Sequence, residues 1–337
     1  INRHAKTTVA AENIIMEEVD GFARTLQSLT ETHDFFYQLN DKELLSMRTS
    51  INDKDPSFMT IESLYKFLQT VLRSKTRQNS SDYGNGGMKS ANKYKDTIQS
   101  ESHLQQLLYE STAIWDVLLK LIPEMHDGNE LPLKSYKDLR SHDNVDNENI
   151  EDNYLWLRPI GISLLASIVR KLLDEYANTE LLENIYVEDN DEQTQKNFKE
   201  CKDDLEIALS PLSSEMGMEW DMSKAPWKGL YINYDPLSGN SKRTQEWKMT
   251  SAERTKIHQI AEDLASYIFS YGNFDGYPDT NHPNDKVVRD WQNALRLNPD
   301  NTGDDLIELE KLEALVSKIQ QNMADSGMFD DRSITTT

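Results

Sequence analysis

Cysteine is almost absent from this chain, because only Cys201 occurs among 337 residues. An intramolecular disulfide is therefore excluded, as is usual for proteins of the reducing cytoplasm, where we expect this one to reside. One cysteine cannot form a zinc cluster, and no two of the seven histidines stand four residues apart. We therefore expect no metal site and no cofactor. Cys201 has no histidine nearby and is interpreted as an incidental thiol rather than a nucleophile.

Long apolar stretches are also missing. The chain contains no run of about 18 apolar residues, so no membrane-spanning segment is expected. No signal-peptide pattern is recognisable at the start. Hydrophobic residues make up only 37% of the chain, but they are concentrated in periodic blocks, which excludes global disorder. The length predicts two domains, or one domain with a large extension.

Positive charge is scarce and unevenly distributed. The net charge is −22, which argues against uniform attraction to a polyanion. Three segments are strongly acidic: residues 138–153 carry −5, residues 174–206 carry −9 and residues 300–331 carry −7. Residues 66–95 carry seven basic side chains against one acidic, a net charge of +6. Charge sorted in this way permits one region to bind a polyanion although the average would forbid it.

Hydrophobic periodicity predicts helices over most of the chain. "DGFAR", residues 20–24, falls inside the first helical stripe, where Phe22 is expected in the core and Asp20 is expected to pair with Arg24 across the surface. Two β-prone runs around a turn predict a hairpin near residues 228–249. The expected helices are 12–30, 41–49, 61–72 with Thr60 as N-cap, 98–122, 158–176, a helix after the acidic loop 186–203, 250–272, 286–296 and 304–323.

Residues 74–97, here called the basic segment, are rich in Ser, Asn, Gly and Lys and predict a flexible loop. Its run "GNGGMKS" lacks the glycine directly before Lys-Ser and the apolar flanks of a phosphate-binding loop. Cations spaced along such a loop can contact DNA phosphates and release counterions, and Tyr83 and Tyr94 could stack on bases. The alternative is a solvated loop that offsets the acidic segments. The candidate phosphate contacts are Arg73, Lys75, Arg77, Lys89, Lys93 and Lys95.

Six segments occur in a characteristic order: "INRHAK", "FARTLQSL", "DPSFMTIESLYKFLQTVL", "STAIWDVLLKLIPEM", "LRPIGISLLASIV" and "MEWDMSKAPWKGLYIN". This succession, from residue 1 to about residue 270, resembles the DndB family of DNA sulfur modification proteins and the related DGQHR-domain proteins. The resemblance implies regulation, through DNA binding and transcriptional control, of a system that replaces a non-bridging phosphate oxygen of DNA with sulfur. It implies no catalysis by this chain. The implied partners are DNA and other proteins of that system.

The resemblance also implies that the amino-terminal part is similar to a ParB/sulfiredoxin-like α/β fold. "INRHAK" matches the Asn-centred segment that follows this α/β core, so Asn2, Arg3, His4 and Lys6 would line the groove beside it. The other interpretation is a polar helix start with Asn2 as the cap and the rest solvated. The Asp-Gly-Gln-His-Arg run of the family is absent, and the chain is expected to begin after part of its first domain.

The expected fold class is mainly α with a small β element. The expected domains are the end of a ParB-like domain with the first helices (1–73), the flexible basic loop (74–97), a helical domain with a hairpin (98–272) and a carboxy-terminal helical extension with a frayed tail (273–337). Two alternatives to the DNA-associated regulator stay open. One is a ParB-like nucleotidase or nuclease whose motif lies upstream, and the other is an acidic scaffold that binds basic proteins.

Overall fold

In a computed structural model, the chain forms two compact units. Unit 1 comprises Ile1–Lys137 and Leu157–Leu209, and unit 2 comprises Asp138–Trp156 and Ser210–Thr337. The domain limits expected after residues 73, 97 and 272 stay predictions, because each adjoins or lies within a range that is not described. The residues that the structure describes are 10–52, 55–73, 100–126, 135–137, 139, 154–222, 226–227, 230, 232–235, 244–247, 259–265, 268 and 305–326.

Unit 1 is built mainly from helices, and its described part contains one two-residue parallel ladder, in which β1 (Leu45–Ser46) pairs with β2 (Met59–Thr60). This confirms the expected mainly helical α+β class, whereas the ParB-like identity of the first domain stays a prediction. The helices are α1 Ala10–Ile15, α2 Gly21–Thr32, α3 Asp34–Asp41, α4 Ile61–Val71, α5 Glu101–Leu121, α6 Pro159–Tyr176, α7 Thr179–Leu182 and α8 Asp191–Leu209.

Two of the long helices start at side-chain caps. Thr60 Oγ1 accepts a hydrogen bond from the Ser63 amide at 2.9 Å, as the sequence predicts for α4. Ser100 caps α5 by accepting from the His103 amide at 3.2 Å. The same helix ends before Pro123, which starts a short 3₁₀ turn. Local sequence therefore sets the start of α4 and both ends of α5.

Aromatic packing holds the core of unit 1 together. Helix α4 packs on α6, α5 packs on α8, and α2 contacts both α3 and α5. Trp115 of α5 is fully buried, with its ring 4.9 Å from that of Phe36 and 4.6 Å from that of Phe67. Such edge-to-face and tilted ring pairs add to the free energy gained from apolar burial.

Three secondary-structure predictions in this unit are wrong. Most of the range 186–203, expected to be an acidic loop, is helical, because α8 begins at Asp191. The stripe at 12–30 is not one helix, because α1 ends at Ile15 and α2 begins at Gly21. The region 41–49 is not a helix either, since it contains the last residue of α3 and then strand β1. The break before α2 has a clear cause: the side chain of Asp20 accepts from the Phe22 and Ala23 amides and caps the new helix.

Asp20 and Arg24 do not form the surface pair that the sequence predicts. The Asp20 side chain is turned inward and the residue is 3% exposed. Arg24 instead lies 3.4 Å from the Glu101 carboxylate at the start of α5. A cap that must reach backbone amides cannot also reach one turn forward to the surface.

Unit 2 contains the hairpin and a long helix in its described part. Strands β3 (Ile232–Asp235) and β4 (Thr244–Trp247) pair antiparallel inside the range 228–249, where the sequence predicts a hairpin. Trp220 and Trp227 are buried and stack with ring centroids 6.2 Å apart. Helix α9 (Asp305–Asp325) occupies the carboxy-terminal part of the described chain. In the ranges described above, no helix combines the length and apolarity needed to cross a bilayer.

Removal of the α4 cap tests this account of the fold. We expect Thr60→Ala to lower the free energy of unfolding by about 1–2 kcal/mol, because the Ser63 amide loses its acceptor in a buried position. Urea denaturation followed by far-UV circular dichroism measures the change.

Thr32→Ala is the matched control, because it also removes a hydroxyl from a helix end, but an exposed one that donates to Ser28 O at 2.8 Å. We expect this variant to change stability by less than about 0.5 kcal/mol. Equal losses in the two variants would contradict the capping role of Thr60.

Candidate functional site: a polar cleft between three helices of unit 1

A cleft of about 710 Å³ opens in unit 1 between α1, α2 and α4. We call it the α1–α4 cleft. Its floor and walls combine small apolar side chains with amides, carboxylates, a phenol and one amine. The lining residues are Ala10, Asn13, Ile14, Glu17, Val19, Asp20, Ala23, Glu62, Tyr65, Lys66 and Gln69.

A chain of hydrogen bonds crosses this cleft and joins α4 to α2. Gln69 Nε2 donates to the Tyr65 hydroxyl at 2.7 Å, and that hydroxyl donates to Asp20 Oδ2. The other carboxylate oxygen of Asp20 accepts from the Phe22 amide at 2.8 Å and the Ala23 amide at 3.2 Å. The carboxylate is therefore satisfied although it is buried, as a buried ionised group must be.

Tyr65 is held protonated by these surroundings. Burial raises the pKa of its phenol, and the hydrogen bond to Asp20 and the negative charge of that carboxylate raise the pKa further. At neutral pH Tyr65 is thus a fixed donor to Asp20 and an acceptor for Gln69. It positions other side chains and is not available as a base.

Carboxylates dominate the charge of the cleft. Glu17, Asp20 and Glu62 face one cation, Lys66, whose Nζ lies 2.6 Å from Glu62 Oε1. The connection between α1 and α2 is fixed by Gln27, whose Nε2 donates to the carbonyls of Ile15 at 2.8 Å and Glu17 at 3.1 Å. The cleft therefore has a defined wall on its α1 side.

The structure describes the chain on both sides of the basic segment, at Arg73 and at Ser100. Arg73 follows α4, and its guanidinium carbon lies 5.8 Å from the centroid of the Phe22 ring, a cation–π arrangement. Ser100 caps α5 where the chain is described again. Of the predicted phosphate contacts, the structure describes Arg73. Outside the described residues lie Lys75, Arg77, Lys89, Lys93, Lys95, Asn2, Arg3, His4 and Lys6.

The basic side chains on the helical body of unit 1 are mostly engaged with carboxylates. Eight Lys and Arg side chains of its described part lie within 4.0 Å of an Asp or Glu oxygen, and four of the pairs are between residues one helical turn apart. These eight residues are Arg24, Arg48, Lys66, Lys120, Arg170, Lys171, Lys196 and Lys202.

A second charged cluster joins three helical regions away from the cleft. His33 Nε2, at the α2–α3 junction, lies 3.3 Å from Asp116 Oδ1 on α5, and Lys202 Nζ on α8 lies 3.1 Å from Asp116 Oδ2. Burial by itself would raise the pKa of Asp116. The close contact with His33, the hydrogen bond from Lys202 and the charges of both outweigh burial, so the pKa of Asp116 lies below its usual value. The cluster is a structural junction of unit 1.

Neither a metal centre nor a reactive thiol is evident in the described ranges. They contain no group of three His, Cys, Asp or Glu side chains arranged to hold a metal ion. Cys201 is buried, and burial raises the pKa of its thiol, with the nearby carboxylates of Glu110 and Asp204 adding to the shift. The thiolate is thus disfavoured at neutral pH.

The sequence did not point to the cleft. Tyr65 and Gln69 are one turn apart in α4, a spacing that allows contact but occurs in every helix. The one local signal is Asp20 directly before a glycine and an apolar run, which fits an N-cap as well as a helix interior. Which residue on another helix Asp20 meets is not encoded locally.

Comparison with known proteins gives no relative whose function could be compared with that of the cleft. No protein-family model, no curated protein and no solved structure matches the chain. The resemblance to the DndB family therefore stays a prediction.

The Tyr65 hydroxyl should control stability at alkaline pH. An unfolded tyrosine loses its proton near pH 10, whereas folded Tyr65 keeps it, so stability falls as the pH rises above about 10. We expect Tyr65→Phe to cost about 1–3 kcal/mol at neutral pH, because Asp20 loses a buried donor, and to make the alkaline decline shallower. Urea denaturation at a series of pH values measures both effects.

Tyr37→Phe is the matched control, because Tyr37 is 55% exposed on α3 of the same unit. We expect it to leave both quantities unchanged. An alkaline decline of the same slope in Tyr65→Phe and the wild type would contradict the assignment to Tyr65.

The Asp116 junction should act at acidic pH. Because its folded pKa is lowered, Asp116 stabilises the fold above about pH 4, and this contribution is lost as the pH falls through the folded pKa. We expect Asp116→Asn to cost about 1 kcal/mol at neutral pH, a value reduced for its partial exposure, and progressively less as the pH falls through the folded pKa. Acid titration of the urea midpoint measures the difference.

Asp203→Asn removes an exposed carboxylate from α8 and serves as the control, with no expected effect at either pH. A difference between Asp116→Asn and the wild type that persists undiminished at the lowest pH would exclude the ionised carboxylate as its source.

Proposed function

We propose that this chain is a DNA-associated regulatory protein that holds phosphates with the basic segment and the preceding Arg73. The observation that carries the proposal is the distribution of positive charge along the chain. Eight cations on the body of unit 1 pair with the protein's own carboxylates, whereas the basic segment contains five cations and two acids. Cations spaced along one segment can neutralise DNA phosphates and release their counterions.

The flanks of the basic segment support this role. Helix α4 is tied to α2 by the Tyr65–Asp20 hydrogen bond, and α5 is anchored through fully buried Trp115. The segment is thus joined at both ends to helices of one packed unit. A polyanion bound by the segment would be held close to that unit. In this proposal Tyr83 and Tyr94 of the basic segment stack on bases.

The resemblance to the DndB family names the system in which such a regulator would act, DNA sulfur modification in the cytoplasm. Four of its segments fall on helices of unit 1, namely α2, α4, α5 and α6, and their apolar residues are buried there. In this proposal the chain binds DNA and meets other proteins of the system but catalyses no step. Asn2, Arg3, His4 and Lys6 would add phosphate contacts beside the ParB-like core.

The salt dependence of DNA binding tests the proposal. If Arg73 and the five cations of the basic segment neutralise six phosphates, log affinity falls with log salt at a slope of about −5. We expect simultaneous change of Lys75, Arg77, Lys89, Lys93 and Lys95 to Gln to remove most of that slope. Fluorescence anisotropy of a labelled duplex over a range of salt concentrations provides the measurement.

The chain offers a control of equal charge. Changing five of the paired cations to Gln (Arg48, Lys66, Lys120, Lys171 and Lys196) lowers the net charge by the same amount but spares the basic segment. We expect this variant to keep the wild-type slope. Equal effects of the two variants would show a general charge effect, and a wild-type chain without DNA affinity would favour the scaffold or enzyme alternatives.

A further inference from the structure

The α1–α4 cleft has the size and rigidity of a small-molecule site. Its volume of about 710 Å³ lies within the range of about 300–1,000 Å³ that such sites occupy. Its walls are fixed by hydrogen bonds that span the elements: Tyr65 to Asp20 between α4 and α2, and Gln27 to the Ile15 carbonyl between α2 and α1. A ligand would enter a preformed site and would not have to order these helices.

The polar groups of the cleft favour a ligand that donates hydrogen bonds. Gln69 donates one of its two amide N–H groups to Tyr65, and its carbonyl oxygen is an acceptor group. The Tyr65 hydroxyl is committed to Asp20, and Lys66 to Glu62. With three carboxylates against one amine, the formal charge of the lining is −2.

The remaining lining is aliphatic. Ala10, Ile14, Val19 and Ala23 contribute apolar surface next to these acceptors. Ile14 and Glu17 lie on the same stretch of chain at the end of α1, so apolar and anionic surface adjoin. A ligand whose aliphatic stem packs on Ile14 and its apolar neighbours would place a cationic end near the Glu17 carboxylate.

We infer that the α1–α4 cleft binds a small organic cation, a primary amine or guanidine on a short aliphatic stem. Glu17 supplies one carboxylate, Glu62 supplies a second that the ligand would share with Lys66, the Gln69 carbonyl supplies an acceptor, and Ile14 and Val19 pack against the stem. A hydrated divalent cation fits less well, because it needs six or more oxygen ligands and gains nothing from apolar walls. This inference is independent of the DNA proposal, because the cleft and the basic segment use different residues.

Titration of the full chain with cadaverine tests the inference, with 1,5-pentanediol as an uncharged probe of the same chain length and Mg²⁺ as a probe of charge alone. We expect cadaverine to bind with a Kd of about 1 mM or tighter by calorimetry, and to shift the methyl resonances of Ile14. We expect pentanediol and Mg²⁺ to leave those resonances unchanged.

Glu17→Gln combined with Glu62→Gln should weaken cadaverine binding about tenfold or more, because the charge-assisted hydrogen bonds are lost. A glutamine at 17 can still accept from the Val19 amide, as Glu17 does at 3.1 Å, which preserves the local backbone. Glu18→Gln combined with Glu31→Gln removes two exposed carboxylates outside the cleft and is the control for general charge.

No cadaverine binding to the wild type at about 10 mM, equal weakening in the control variant, or equal binding of pentanediol would each overturn the inference. If the Glu17/Glu62 variant melts at a lower temperature than the wild type, its weaker binding is not interpreted. The wild-type protein then provides the test, because an unchanged Ile14 methyl resonance on addition of cadaverine would overturn the inference. DNA affinity is measured on the same samples, so failure of this inference and failure of the DNA proposal are distinguished.

Discussion

The buried Asp20 carboxylate is the constraint on which the first unit depends. An ionised carboxylate at 3% exposure has to be satisfied, and the chain satisfies it from two directions. Two backbone amides of α2 donate to one oxygen, and the Tyr65 hydroxyl of α4 donates to the other. The first contact starts α2, and the second fixes where α4 lies against it.

Both candidate surfaces of the protein follow from this arrangement. The α1–α4 cleft lies where α1 ends before Asp20, and Gln27 fixes the end of α1 by donating to the carbonyls of Ile15 and Glu17. The basic segment begins shortly after α4 ends, three residues beyond Val71. A perturbation of the Tyr65–Asp20 contact would therefore affect the wall of the cleft and the anchor of the segment together.

Charge is organised on two scales in this chain. In the described part of unit 1 most cations are paired locally, for example one turn apart on a helix, as Lys66 is with Glu62, or between helices, as Lys120 is with Glu206. Exposed pairs of this kind contribute little to stability, but they remove cations from the surface that DNA would meet. Along the sequence, by contrast, cations are concentrated in the basic segment. The opposite sign of the cleft would exclude DNA phosphates and admit cations.

Most helices were predictable from the sequence because each is encoded within a short window. Thr60 before an apolar stripe predicts the start of α4, and Pro123 predicts the end of α5, with no knowledge of the rest of the fold. The predicted helix at 41–49 was wrong because the chain there forms β1, and β1 depends on a partner strand more than ten residues away. Local pattern does not reveal that partner.

In the candidate site, too, some features are encoded locally and others depend on distant segments. Sequence by itself determined the sorted charge, the single cysteine and the positions of the amphipathic helices, because composition and periodicity specify these directly. Only the tertiary structure decided that α1 and α2 are separate, that Asp20 faces Tyr65 across 45 residues, and that Asp116 joins His33 to Lys202. The physical reason is that periodicity specifies which face of a helix is buried, whereas the partner of a buried polar group is chosen by packing between distant segments.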